Sequence, residues 1–148
     1  MAIYFVSTEP DFFHLDQVFK DRKVTWDGVR GGPAQINMKK IVKGDLVMGY
    51  HSSPDKCVYC VMEAKGSSYP DPTLKGKDSK FHVIDFLPKF KLPKPVPIAD
   101  MRANPALKTM KFLIMPRISV TPVTPQEYSA ILKMAGATDK KEKGKRKK

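Results

Sequence analysis

Short apolar runs separated by turn residues dominate the hydrophobic pattern of the chain. Five stretches rich in β-branched and aromatic residues predict strands, because each is bounded by Gly, Pro, Asp or Ser. The second and third runs are joined by SSPD, which predicts a hairpin. The five runs are IYFVS (3–7), DLVMGYH (45–51), KCVYCVMEAKG (56–66), FHVIDFL (81–87) and RISVTPVT (117–124).

Four other stretches carry helix signals, from apolar residues three or four positions apart to prolines and capping residues at their ends. They are HLDQVFKDR (14–22), PAQINMKKI (33–41), IADMRANPAL (98–107, expected to stop before its proline) and TPQEYSAILKMAG (124–136). In the last stretch, Thr124 and Glu127 predict a capping box and Pro125 suits the first helical position. Gly136 predicts the end of that helix.

The segment KFKLPKPVPI (89–98) is expected to be extended but not to form a central strand. Pro93, Pro95 and Pro97 lack the N–H that a central strand donates. Strands and helices do not alternate regularly along the chain, which favours an α+β fold over a parallel sheet. The pattern therefore predicts one α+β domain over residues 1–136, built on a small, twisted, barrel-like sheet with short peripheral helices.

The net charge of +12 changes this picture, because it is unevenly distributed. Residues 137–148, ATDKKEKGKRKK, hold seven Lys or Arg against Asp139 and Glu142 and so carry +5, which leaves +7 on the remainder. Because this run contains so few apolar residues, it predicts a disordered basic tail. Two basic parts favour a polyanionic partner. The alternative is a solubilising tail on an ordinary basic domain; the tail also fits a nuclear address or a non-specific nucleic-acid arm.

Membrane and metal functions find little support in the residues. AIYFVS is too short and lacks the basic flank of a signal peptide, and no run approaches the roughly 18 apolar residues of a membrane span. We therefore expect an intracellular protein, cytoplasmic or, in a eukaryote, nuclear.

Cys57 and Cys60 stand three apart in a predicted strand, so their side chains diverge. Reduced thiols without a metal are the prediction.

Enzyme chemistry is also weakly indicated. His51 is followed by Ser52 and Ser53 at a strand end, where adjacent side chains separate, and a nucleophile–base relay needs hydrogen-bond reach. GVRGG lacks the spacing and the Lys-Ser/Thr ending of a phosphate loop. We expect a non-catalytic protein without cofactor.

Binding chemistry is better represented. Trp26, Tyr50, His51 and Tyr69 stand beside turns, where aromatic rings can wall a site for a flat guest, since stacking on a base is worth about 1–3 kcal/mol. The basic residues that offer phosphate contacts are Arg30, Lys39, Lys40, Lys43, Lys89, Lys91, Lys94 and Arg117. The alternatives are a core Trp, a barrel-filling Tyr and a solvated lysine coat.

Several motifs resemble the EVE-domain family in order and spacing over about residues 3–134. They are STEPD, TWDGVR, GDLVMGYHSS, SYPDPT, PKPVPIADMRANPAL and RISVTPVT. The resemblance implies a PUA-like small mixed β-barrel with a pocket for a modified nucleobase turned out of its strand. It also implies pocket roles for Ser7, Thr8, Trp26, Tyr50, His51, Ser52, Tyr69 and Pro70. Arg117 and Ser119 would lie close by, in a structural or phosphate-binding role.

The leading hypothesis is thus a monomeric, non-catalytic reader of a modified, methylated base in DNA or RNA. The first alternative is a general PUA-type RNA-binding protein, in which surface lysines bind and the pocket has no specificity. The second is a nuclease or base-modifying hydrolase that depends on His51. Ser7 and Thr8 stand where the family has Lys-Ser, which removes a positive charge from the mouth of the expected pocket.

Overall fold

A computed structural model describes residues 2–27, 29, 31–74, 76 and 80–137. Its strands are β1 (Ile3–Thr8), β2 (Val24–Trp26), β3 (Leu46–His51), β4 (Cys57–Ala64), β5 (Tyr69–Pro70), β6 (His82–Pro97) and β7 (Val120–Val123). Its helices are α1 (Asp16–Asp21), α2 (Gly32–Lys39), α3 (Ile98–Ala103), α4 (Lys111–Ile114) and α5 (Pro125–Met134), with a 3₁₀ turn over Pro105–Leu107. Within these residues no helix has the length and apolar character that crossing a membrane requires.

The strands form one mixed sheet in the order β2-β6-β4-β3-β1-β7, and β5 pairs with β6 beside β2. β1 runs parallel to β3, whereas every other pairing is antiparallel. The sheet curls into a half-barrel with the short helices around it, which confirms the predicted α+β, PUA-like architecture.

Each face of the sheet carries its own apolar core, because successive side chains of a strand point to opposite faces. On β1, Ile3 and Phe5 belong to a cluster beneath α3, α4 and α5, which we term the α5 cluster. Tyr4 and Val6 belong to a second cluster beneath α1 and α2, which contains Trp26 and is termed the Trp26 cluster. The half-barrel therefore separates two independently packed layers.

Strand β6 is longer than predicted. The expected strand over 81–87 continues to Pro97, so the proline-rich segment 89–98 belongs mostly to the sheet. The prolines are tolerated because β2 pairs only with residues 84–86 of β6, and beyond that point β4 is the one partner strand within the described residues. A strand with one free side can accommodate prolines whose nitrogen faces outward.

Helix α4 was not predicted, since four residues are too few to show a periodic pattern. Its Phe112 and Leu113 are nevertheless buried in the α5 cluster.

Both cysteines are free thiols, as predicted, with Cys60 buried and Cys57 half-buried. Burial raises the pKa of the Cys60 thiol to about 12.

Helix α5 begins and ends as predicted. Thr124 accepts a hydrogen bond from the Glu127 N–H at 3.1 Å, and the Glu127 carboxylate accepts one from the Thr124 N–H at 3.0 Å. Gly136 has a φ of 78°, and the Ala137 N–H donates to the Leu132 carbonyl at 2.8 Å, as in a Schellman ending. Ala137, the first residue of the predicted tail, is buried in the α5 cluster, and the domain boundary at 136 stays a prediction. The rest of the predicted tail, 138–148, lies outside the described residues.

We expect Thr124→Ala to lower the free energy of unfolding by about 1 kcal/mol, since the N-cap bond is lost at a helix that covers the α5 cluster. Urea unfolding followed by circular dichroism measures this loss. Ser129→Ala, at an exposed position of the same helix, is the matched control and should leave stability unchanged or slightly raised. Equal stabilities of the two variants would contradict a role for the capping box.

Candidate functional site

A cavity of about 610 Å³ opens where β1 and β2 end. Such a volume lies within the usual range for small-molecule sites. The residues that line it come from the ends of β1 and β2, the turns that follow them, the loop after β5 and the residue before β7. They are Ser7, Thr8, Glu9, Phe12, Phe13, Val24, Thr25, Trp26, Asp27, Val29, Asp71, Thr73 and Ser119.

Trp26 is both a core residue and a wall of this cavity. Its exposed fraction is only 6%, and the indole packs against Phe86 at 5.6 Å between ring centroids. Phe13 meets it edge-on at 6.1 Å, with the two ring planes 87° apart. Main-chain pairing of Trp26 with Ile84 places it at the end of β2. The two readings of the single Trp are therefore compatible, since core packing holds the ring rigidly at the border of the cavity.

Hydroxyl groups and strand-end backbone supply the polar wall beside the Trp. Ser7 and Thr8 form the end of β1, and the Ser7 N–H donates to the Ser119 carbonyl at 3.2 Å. This bond brings the residue before β7 to the same wall. The Thr8 hydroxyl donates to the Phe13 carbonyl at 3.3 Å, which ties the following turn to the strand.

Carboxylates occupy the rest of the polar lining. Glu9 and Asp27 are exposed, whereas Asp71 is buried and accepts hydrogen bonds from the N–H and hydroxyl of Thr73 at 2.9 and 2.7 Å. No Lys, Arg or His is among the described residues of the lining. The cavity thus offers acceptors and hydroxyls inside a protein that is basic as a whole, a set suited to a neutral guest with N–H groups.

A buried amide braces the wall that follows Trp26. Gln35 of α2 donates to the Val29 carbonyl at 2.6 Å and to the His82 carbonyl at 3.2 Å, and it accepts from the His82 N–H at 3.0 Å. Asn37 of the same helix donates to the Val120 carbonyl at 2.7 Å. Helix α2 therefore connects the two sides of the cavity through side-chain amides.

The predicted pocket residues divide into two groups. Ser7, Thr8 and Trp26 line the cavity, together with Ser119, which was placed nearby in a structural or phosphate-binding role. The others, Tyr50, His51, Ser52, Tyr69 and Pro70, lie outside its lining.

The motif Tyr50-His51-Ser52 supports the cavity from behind. Tyr50 is buried in the α5 cluster, 4.8 Å from Phe112 between ring centroids. It therefore belongs to the opposite face of the sheet. The Ser52 N–H donates to the Thr8 carbonyl at 2.9 Å, and β1–β3 pairing sets Thr8 beside His51. Direct contact of these three side chains with a guest stays a prediction; in this structure Tyr50 and His51 are buried, and Ser52 hydrogen-bonds to the Thr8 backbone.

The aromatic rim expected at Tyr69 and Pro70 stays a prediction, and both residues lie outside the cavity lining. The Tyr69 hydroxyl donates to Asp85 at 2.9 Å, and the Thr25 hydroxyl donates to the same carboxylate oxygen at 2.7 Å. Tyr69 therefore stabilises the β2 wall of the cavity indirectly, through the Asp85 carboxylate that it shares with Thr25. Pro70 is exposed and pairs with His82 in the short β5–β6 ladder.

The predicted phosphate-binding side chains lie on the surface. Lys39 and Lys40 are exposed at the end of α2, and Arg117 is exposed two residues before Ser119. Arg30 lies outside the described residues. Lys91 is instead engaged by Asp16 at 2.8 Å, and Lys89 lies 3.9 Å from Glu63.

His51 lies in a cluster with His14 and Asp55, whose potential ligand atoms lie within 4.8 Å of one another. The buried Nε2 of His51 accepts from the Leu15 N–H at 3.0 Å, so Nδ1 carries the proton of the neutral ring and faces Asp55 at 3.8 Å. A protonated Nδ1 is a donor rather than a metal ligand. Burial, with a smaller contribution from His14, lowers the pKa of His51 below its ordinary value of 6.5.

Several cavity residues were not predicted, above all Phe12, Phe13, Asp71 and Thr73. Weak signals for them exist in the sequence. The doubled Phe directly after a Glu-Pro-Asp turn is a poor core pattern, and Asp-Pro-Thr is typical of a side-chain-to-backbone turn. Neither signal says which strand ends meet in space.

The curled mixed sheet has the PUA-like fold, and the cavity opens at its strand ends. The chain matches the EVE-domain family over residues 2–134 and belongs to that family.

Three relatives illustrate its range. Thymocyte nuclear protein 1 of Danio rerio is 25% identical over 130 residues, which are 74% of this chain and 56% of that protein, so the chain spans little more than half of this relative's length. A crystal structure of an Agrobacterium tumefaciens protein is 30% identical, with a TM-score of 0.88 over 94% of this chain and 96% of that chain. Human THYN1 protein in complex with 5-methylcytosine-containing DNA is 19% identical, with a TM-score of 0.83 over 91% and 98%.

We expect the stability of the protein to fall as the pH drops below about 6.5, because His51 stays neutral when folded but takes up a proton when unfolded. Protonation at Nε2 would also remove the acceptor of the hydrogen bond from the Leu15 N–H. His51→Gln keeps an acceptor for that N–H and should lose this contribution, up to about 1 kcal/mol for each pH unit. Urea unfolding at about pH 7.5 and about pH 5.5 measures it.

The control is His82→Gln, because desolvation and the nearby Lys39 also lower the pKa of His82. Its effect on the pH dependence should be the smaller of the two, since His82 is only half-buried. A pH dependence that persists in His51→Gln and vanishes in His82→Gln would show that the assignment to His51 is wrong.

Proposed function

We propose that the protein is a non-catalytic nucleic-acid-binding module whose cavity accepts a methylated nucleobase extruded from its strand. The observation that carries the proposal is the rigid face of Trp26 at the border of a cavity with hydroxyls and carboxylates on its other walls. Its fold neighbour, human THYN1 protein, is described in complex with DNA containing 5-methylcytosine. That neighbour supports DNA as the first nucleic acid to test.

The chemistry of the lining suits a base. A nucleobase has flat, apolar faces, which stack on an aromatic wall. Its edge is polar and carries N–H groups that donate hydrogen bonds to acceptors. Glu9, Asp27 and Asp71 supply acceptors, while Ser7 and Thr8 supply hydroxyls that both donate and accept. Phosphates remain outside, because the described lining lacks cations and the exposed Lys39 and Arg117 are on the surface.

The energetic balance limits how selective such a site is. Extruding a base costs a few kcal/mol, and stacking in the cavity returns about 1–3 kcal/mol. A buried methyl group adds about 0.8 kcal/mol, which is roughly a fourfold preference, and a close fit raises the preference to between tenfold and a few hundredfold. Charge supplies the remaining affinity without sequence preference.

The second candidate function is general RNA binding without recognition of a modification. The predominance of positive charge favours it, since 27 Lys and Arg oppose 15 Asp and Glu. This function depends on the surface alone and leaves the cavity without a guest. Location in the cytoplasm or the nucleus, a monomeric state and a nucleic-acid-binding tail at 137–148 remain predictions.

We expect Trp26→Ala to weaken binding to a duplex with one 5-methylcytosine by about 5- to 100-fold, since a stacking face is lost. Fluorescence anisotropy with 5-methylcytosine, N6-methyladenine and unmodified duplexes, and with the matching RNAs, measures affinity and preference. Phe86→Leu is the matched control, because Phe86 packs on the same indole from the core and lies outside the cavity lining. Phe86→Leu should lower the free energy of unfolding and leave the preference for the methylated duplex unchanged. Equal affinity of the wild-type chain for all probes would refute modified-base recognition and favour the second candidate.

We expect the double variant Lys39→Ala/Arg117→Ala to weaken binding to modified and unmodified DNA by the same factor. Two lost phosphate contacts should also reduce the slope of log affinity against log salt by about 2. Titrations at several salt concentrations measure that slope. Lys133→Ala, an exposed lysine on the far helix α5, should change the slope little. A loss confined to the modified duplex would place these cations in base recognition instead.

A further inference from the structure

Phe12 is fully presented to solvent at the mouth of the cavity. Its exposed fraction of 88% is the largest among the large apolar side chains of the described residues, and Ile36 follows at 59%. Phe12 also lines the cavity, which Ile36 does not. An apolar ring left in water beside a binding cavity adds nothing to the stability of the folded chain.

The ring is carried by a fixed turn. The N–H groups of Phe12 and Phe13 both donate to the Glu9 carbonyl, at 2.9 and 2.8 Å, and Pro10 restricts the backbone inside that turn. On the far side, Phe13 packs on Trp26 and its carbonyl accepts from the Thr8 hydroxyl. His51 then holds the Leu15 N–H. Phe12 therefore projects from a segment anchored before and after it, so the position of its backbone relative to Trp26 is set.

A duplex whose base has been extruded has a gap that an exposed ring can fill. The neighbouring bases lose a stacking partner when the target base leaves, and this unstacking is part of the cost of extrusion. Proteins that distort DNA insert apolar side chains such as Phe, Leu, Ile or Met between base steps. A side chain that fills the gap stabilises the extruded state without touching the extruded base.

Building on the proposed function, we propose that Phe12 is the wedge that occupies the position vacated by the extruded base. Trp26 contacts the base inside the cavity, and Phe12 contacts the bases that remain in the duplex. Phe12 thus acts on extrusion and Trp26 on recognition. The residue makes the protein selective for bases presented in a duplex rather than for the free nucleoside.

The test separates the duplex from the nucleoside. The full chain is titrated with a DNA duplex containing one 5-methylcytosine and, separately, with 5-methyl-2′-deoxycytidine, which has no neighbouring bases. Duplex binding is followed by anisotropy, and nucleoside binding by the indole N–H resonance of the single Trp. Phe12→Ala should weaken duplex binding by about 5- to 100-fold and leave nucleoside binding unchanged. Phe12→Leu should retain most duplex affinity, because Leu also serves as a wedge.

Ile114→Ala is the matched control, since Ile114 is 57% exposed and outside the cavity lining. It should change neither affinity. Equal duplex affinities of wild type and Phe12→Ala would overturn the wedge while leaving base recognition by Trp26 intact. An equal loss for duplex and nucleoside would also overturn it, because Phe12 would then be a lid over the base. Failure of the wild-type chain to bind the 5-methylcytosine duplex or any of the other methylated DNA and RNA probes would refute the proposed function and the wedge together.

Discussion

Strand β1 is hydrogen-bonded on both sides, in parallel to β3 and antiparallel to β7, and the cavity depends on where it ends. Its last two residues, Ser7 and Thr8, still pair with β3, but the pairing with β7 stops at Val6, and Pro10 follows in a tight turn. Their polar groups therefore remain at the sheet edge, where the bond to Ser119 positions the chain before β7. The hydrogen bonds of the sheet thus fix the geometry of the polar wall at the end of β1, although the side chains of this wall pack little against one another.

The opposite wall is stabilised by a different kind of interaction. Trp26 contributes its indole to an apolar layer and shows only a small part of it to the cavity. Gln35 and Asn37 add hydrogen bonds from α2 to backbone carbonyls on either side. Buried or half-buried amides with satisfied partners favour one arrangement over its alternatives. A guest would thus meet a surface that needs little ordering, which preserves its binding energy.

The elements of the fold were largely predictable, because apolar patterning, proline positions and capping residues act locally. The capping box of α5 is determined by Thr124 and Glu127 alone. The site was less accessible from sequence. Tyr50 stands next to a turn in the sequence, yet the alternation of a strand sends it to the α5 cluster. Asp71 reaches the cavity only because β5 pairs with β6 beside β2, a long-range pairing that no local signal encodes.

The proline-rich half of β6 has a consequence for the behaviour of the protein in concentrated solution. Pro93, Pro95 and Pro97 have no N–H to donate, and the pairing of β6 with β4 shifts register between Lys91 and Val96, so this half of the strand is irregular. A neighbouring chain that approached this edge would find no row of donors with which to extend the sheet. Copies of the protein at high concentration therefore resist polymerisation through this half of β6.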